Sequence, residues 1–158
     1  MKVYIDRRMQ RSTASPGAMF RVVSGIGGEN GWYSPGWMWS VRGALDRMLG
    51  GPGMGHARRD PEHLQVDDRI GFWRVVKVDE PRRVYLIAEM KVPGIAALEF
   101  DIGPAPSGAG SILTHTAKFE PDGVFGHLYW WAMVPAHGLV FGSMVRNMVA
   151  EAERLERG

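Results

Sequence analysis

Two histidines stand where buried acid–base or hydrogen-bonding chemistry would be placed. His137 lies between Val134 and Phe141 in the run Gly123 to Val145, which contains no Asp, Glu, Lys or Arg. Pro135, two residues earlier, removes one helical hydrogen bond and frees a carbonyl a turn back, so a kink is expected there. The imidazole is then either a core group bonded to backbone or a polar anchor facing a cavity, able to exchange a proton near neutral pH. His115, between Thr114 and Thr116, shares its strand face with Leu113, Ala117 and Phe119 and is expected to point inward. Together the two rings would supply the few convergent polar groups that orient a ligand in an apolar pocket, or else be satisfied inside a sheet–helix interface. Glu89, Lys91 and Glu99 fall on the face opposite Leu86, Met90 and Leu98. They form either an outer-face ladder of ion pairs or, if curvature near Pro93-Gly94 turns that face inward, acid–base carboxylates with raised pKa. Tyr129 completes the set of candidate catalytic groups: His137, His115, Glu89 and Tyr129.

Around them the sequence is rich in large aromatic residues, which offer rigid apolar area with a single hydrogen-bonding tip. Trp32 and Tyr33 are expected at a cavity rim or lid, and Trp37, Trp73, Met90, Phe100, Trp130, Met133 and Phe141 as ligand-contacting wall. No metal and no cofactor are expected. There is no H-x-x-x-H or H-E-x-x-H spacing, and His127 and His137 are separated by a proline. Gly25, Gly27 and Gly28 fit neither nucleotide-binding glycine pattern and read as a turn. No G-x-S-x-G elbow and no cysteine nucleophile occur, and Ser143 after Gly142 reads as a packing residue.

The elements that must position these groups follow from periodicity. Lys2 to Ser12 alternates as a first strand. Ser15 is a candidate N-cap and Pro16 the first helical residue of a short helix carrying Phe20 and Val23. A second short helix is expected after Pro35, with Trp37, Val41, Leu45 and Met48 on its buried face, ended by Gly50-Gly51-Pro52-Gly53. Four strands are expected over Ile70 to Val78, Val84 to Val92, Ile95 to Ile102 and Ser111 to Phe119, separated by Asp79-Glu80-Pro81-Arg82, Pro93-Gly94 and the Gly103-to-Gly110 loop. Their alternation leaves one apolar face to be covered. The cover is a long C-terminal helix, on which Trp130, Val134, His137, Phe141, Val145, Met148, Ala152 and Leu155 recur at steps of three and four. The fold class is therefore α+β: a curved antiparallel sheet wrapped around one long C-terminal helix, with two short helices after the first strand. Residues 1–158 form a single domain.

The totals restrict partners. The 158 residues are 45% hydrophobic and 23% charged, with a formal charge of only +2, which disfavours nucleic acid. Pairs such as Arg7-Arg8 are expected at solvated strand ends and turns. The absence of cysteine, and an opening stretch unlike a signal peptide, fit a cytoplasmic protein. The charge-free run reaches the length of a membrane span, but its histidines, proline and glycines point to a helix buried in a globular domain.

This order of elements resembles the helix-grip fold of the START-related superfamily, which includes plant pathogenesis-related allergens, lipid-transfer domains and polyketide aromatase/cyclases. More narrowly, the runs Ile26-Gly27-Gly28-Glu29-Asn30-Gly31-Trp32-Tyr33, Arg59-Asp60-Pro61, Phe72-Trp73-Arg74-Val75, Ala88 to Gly94, Leu98-Glu99-Phe100, and Leu128-Tyr129-Trp130 continuing to Pro135 and His137 resemble a bacterial domain family of unknown function. Its members are often fused behind an NAD(P)-binding short-chain-reductase-like domain. The resemblance implies a hydrophobic-ligand cavity. The expected function is binding of a small or medium hydrophobic molecule between sheet and helix; the alternatives are a polyketide- or terpenoid-type cyclase or dehydratase, and an interaction domain. The partners expected are that molecule, a separate reductase and a second copy of the chain, with no nucleic acid and no membrane insertion.

Overall fold

The protein is described here by a computed structural model covering residues 3–26, 33, 41, 44, 47–48, 63–70, 73–89, 93–106 and 108–157. In chain order the elements are β1 (Tyr4–Ser12), α1 (Pro16–Ser24), β2 (Arg69–Ile70), β3 (Trp73–Asp79), β4 (Arg83–Ala88), β5 (Gly94–Pro104), β6 (Ser111–Pro121) and α2 (Gly123–Arg157). The strands make one antiparallel sheet in the order β1-β6-β5-β4-β3-β2. The first strand thus pairs with the last, Tyr4 opposite Phe119 and Ser12 opposite Ser111.

Local chemistry sets the boundaries. Ser15 caps α1, its Oγ accepting from the Ala18 N–H at 3.2 Å, with Pro16 at the first turn and Gly25 at the C-cap. The segment expected as one strand from Ile70 is two, for Ile70 and Trp73 face each other as antiparallel partners, and a glycine lies between them in sequence. A bulge between Val75 and Lys77 shifts the β3–β4 register, a device that bends a sheet. Within β4 to β6 the alternation holds: Val84, Leu86, Leu98, Phe100, Ile102, Leu113, His115, Ala117 and Phe119 are all buried.

Against β1, β6 and α1 lies α2, a helix of 35 residues that continues through Pro135. Its inner stripe is Gly126, Trp130, Phe141, Met144, Val145, Met148 and Ala152, all buried. Carboxylates pin its far end. Glu153 Oε2 accepts from the Thr13 N–H and the Thr13 hydroxyl, both at 3.1 Å, and Glu156 Oε1 accepts from the Ser15 N–H at 2.7 Å. The backbone bond from Thr13, ahead of the side-chain bonds, holds the Glu153 carboxyl below its ordinary pKa.

Two expectations are corrected here. Of the second short helix, Val41, Ala44, Arg47 and Met48 are helical, but Val41 and Met48 are exposed rather than on a buried face; Trp37 and Leu45 lie outside the described residues. The first half of α2 is also not wholly removed from water. Val124, Phe125, Leu128, Trp131, Val134 and Leu139 are exposed, because a helix lying on a sheet buries one stripe and this one is apolar all round.

At the start of α2 the approach to the sheet is set by a missing side chain. A Cβ on Gly126 would stand 2.5 Å from the Pro93 carbonyl oxygen and 2.8 Å from Pro121 Cα, both rigid backbone atoms. Gly126→Ala is expected to cost about 1–3 kcal/mol by overpacking, read from urea unfolding midpoints. Gly103→Ala, with nothing within 4 Å of the new methyl, should stay within about 0.5 kcal/mol of the parent.

Candidate functional site

Between sheet and helix the side chains form a column of rings. Phe100 and His115 are register partners on β5 and β6, both fully buried, with ring centroids 4.8 Å apart. Phe141 comes down from α2 to 4.6 Å from His115, and His137, one helical turn earlier, lies 4.9 Å from Phe141. Trp130 meets His137 edge-on at 4.9 Å and stacks on Tyr4 at 5.1 Å. His115 and His137 therefore both pack against the ring of Phe141.

His115 is the unusual member. Its exposure is 0%, and neither ring nitrogen has a hydrogen-bond partner among the described residues. Leaving a buried polar group unpaired costs about 1–3 kcal/mol. Burial, then the positive charge of Arg8, then His137, push its pKa down from 6.5 to about 3, so the ring is neutral at physiological pH. A neutral imidazole offers one donor and one acceptor.

Arg8 was expected in solvent, and the structure places it half-buried on the inner face of the sheet. It is the cross-strand partner of His115, so both side chains leave the same face of the sheet. Its guanidinium pairs with Asp6 on the same strand, Nε to Oδ1 at 3.1 Å and Nη2 to Oδ2 at 3.2 Å. Its terminal nitrogens lie beside Gly138 and Gly142, one turn apart on α2, where a Cβ would be 4.0 and 3.8 Å away in ordinary contact. The shared parity of Asp6 and Arg8 with Tyr4 was the available signal, masked by the apolar Ile5 and Met9 on what proves to be the exposed face.

The other candidates separate. Glu89 is on the outer face, Oε1 3.1 Å from Arg69 Nε and Oε2 3.7 Å from Arg74 Nε. Glu99 is likewise outside, between Arg83 Nε at 3.2 Å and Lys118 Nζ at 3.0 Å. The outer-face ladder is thus the arrangement present, with Lys118 in it and Lys91 outside the described residues, and the inward acid–base alternative for Glu89 and Glu99 is set aside. Tyr129 packs half-buried against Phe119, 5.4 Å between rings. Trp73 is buried in the main core and Met133 half-buried on α2. Tyr33, at φ 57°, donates its hydroxyl to the Val22 carbonyl at 3.3 Å, and its own carbonyl accepts from Asn147 Nδ2 at 2.8 Å, tying α1 to α2. Trp32, Trp37 and Met90 lie outside the described residues. Among those described, no three His, Asp or Glu side chains gather as a metal ion would require.

The unfolded chain takes up the His115 proton near pH 6.5 and the folded chain only near 3, so the unfolded state binds more protons between those values and stability falls on acidification through that window. Relative to His115→Phe, the parent is expected to lose up to about 1.4 kcal/mol per pH unit there, measured by urea unfolding at pH 7, 5 and 4. An equal pH dependence in both proteins would contradict the assignment.

Comparison with known structures places this geometry. A protein of unknown function from Staphylococcus aureus matches with TM-score 0.59 at 12% identity, covering 99% of this chain and 98% of its own. A protein from Nitrosomonas europaea gives TM-score 0.59 at 10% identity, over 98% and 97% of the two chains. Truncated norcoclaurine synthase from Thalictrum flavum gives 0.54 at 9% identity, over 94% and 92%. At such identities the likeness is one of fold, and the fold is helix-grip. No curated protein matches the sequence. Residues 2–144 match the family described as a protein of unknown function (DUF2867), and with most of its length so matched the chain belongs to that family.

Proposed function

We propose that this protein encloses a small, mainly apolar molecule between the sheet and α2, with His115 as the buried polar anchor. The observation that carries the reading is the imidazole itself, fully buried among Phe100 and Phe141 with both nitrogens unpartnered among the described residues. A ligand bearing one hydroxyl, phenol or carbonyl would satisfy a nitrogen that the fold leaves unpaired, while its body lies against the rings. The helix-grip neighbours support the reading at the level of fold.

The electrostatics favour a container over an acid–base catalyst. A histidine whose pKa is near 3 holds a proton too weakly to deliver or store one at neutral pH. Glu89, the carboxylate that would assist it, is engaged with two arginines on the opposite face. His115 then recognises rather than reacts.

Native mass spectrometry of the protein as purified is expected to show a non-covalent adduct of an apolar molecule, and addition of ligands with one hydrogen-bonding group should raise the thermal midpoint. His115→Phe keeps the ring packing and removes the anchor, and is expected to weaken such ligands about tenfold, the worth of one hydrogen bond. Affinities unchanged by this substitution, or a bare chain mass with no thermal shift across a broad apolar panel, would defeat the proposal.

A further inference from the structure

The outer face of α2 carries a second apolar stripe, opposite the one that grips the sheet. Val124, Leu128, Trp131, Pro135 and Leu139 recur at steps of four, three, four and four, flanked by Phe125 and Val134. All seven are exposed, Phe125 by 77%, Val124 by 73%, Trp131 by 61% and Leu128 by 60%. No charge interrupts the helix between Asp122 and Arg146. Aromatic side chains bury about 150–250 Å² each when enclosed, and here two of them leave most of that in water. With their aliphatic neighbours they exceed what a monomer ordinarily exposes and approach the roughly 800 Å² that each partner contributes to a stable interface.

We propose that this face is an interface between two copies of the chain, with the α2 helices antiparallel about a two-fold axis passing between Trp131 and Ala132. The stripe is complementary to itself when reversed. About that axis Leu128 of one copy meets Pro135 of the other and Val124 meets Leu139, so that the centre of the stripe packs on its own inverse. Ala132, Pro135 and Gly138 are themselves exposed and available for it. A two-fold interface must be built from one patch that matches its own inverse, and spacing of four, three, four and four supplies the seam along which helices pack. A lipid surface fits less well. Helices that lie in a membrane interface carry Lys and Arg along the polar flank, and none occurs from Gly123 to Val145. Nor is any helix among the described residues long and apolar enough to cross a membrane.

The absence of cysteine makes the register directly testable. Val124→Cys and Leu139→Cys are prepared as single variants, oxidised separately and as a mixture, and examined on non-reducing gels. The mixture is expected to give a disulfide-linked dimer and each variant alone to stay monomeric, because positions 124 and 139 meet each other across the axis and not themselves. Light scattering on the parent should give twice the chain mass, and Leu128→Glu with Trp131→Glu should give the single mass with unchanged far-ultraviolet circular dichroism. A monomeric parent, a dimer that survives the two glutamates, or cross-linking of either single variant alone would overturn the proposal, as would a monomer that sediments with neutral phosphatidylcholine vesicles.

Discussion

Everything in this molecule depends on the inner stripe of α2, which lies closest to β1, β6 and α1 and shares one core with β4 and β5. The sheet has one apolar face and needs one cover. Phe141, Met144, Met148 and Ala152 of α2, with Met19, Val22 and Val23 of α1, share one buried core with Leu86, Leu98, Phe100, Leu113 and Ala117, while Trp130 packs separately with Tyr4 and Phe119. The helix is held at both ends by features that contribute little burial of their own. At its start Gly126 lets the backbone come against Pro93 and Pro121, and at its far end Glu153 and Glu156 bond the turn between β1 and α1. Between these anchors the spacing of sheet and helix is fixed, and the ring column with its two histidines occupies that interval.

The cost of that arrangement falls on polar groups. Arg8 enters the interval with its own counterion, Asp6, as buried or half-buried charges must. His115 enters without a partner among the described residues and escapes the charge penalty by remaining neutral. The two solutions stand side by side on adjacent strands, one ionic and compensated, one neutral and open to a further hydrogen bond. That difference is why His115 rather than Arg8 is the anchor in the functional reading.

Much of the fold was legible because local rules and packing agree. Ser15 and Pro16 announce α1, the turn residues announce the hairpins, and strict alternation gives the inner faces of β4, β5 and β6, including His115. Legibility failed where a pattern was uniform or inverted. The first half of α2 is apolar on every side, so periodicity named an inner stripe that included Val134, which the structure leaves exposed, and was silent on the outer stripe. On β1 the more polar positions face inward and Ile5 and Met9 face water, because it is the edge strand and its inward side chains meet the flank of α2 at Gly138 and Gly142 rather than the centre of the core. Glu89 could be placed on either side by sequence alone; its ion pairs with Arg69 and Arg74 on the outer face decide it.

The pairing of β1 with β6 also imposes an order on assembly. Tyr4 cannot find Phe119 until most of the chain has left the ribosome, and the intervening loop must close before its nine-residue ladder returns any free energy. Such distant pairings slow the search for the native state. The β3–β4 and β4–β5 hairpins, by contrast, join neighbours and can form as they emerge. Loop-closure entropy therefore favours the middle hairpins over the β1–β6 ladder as the first contacts of the sheet.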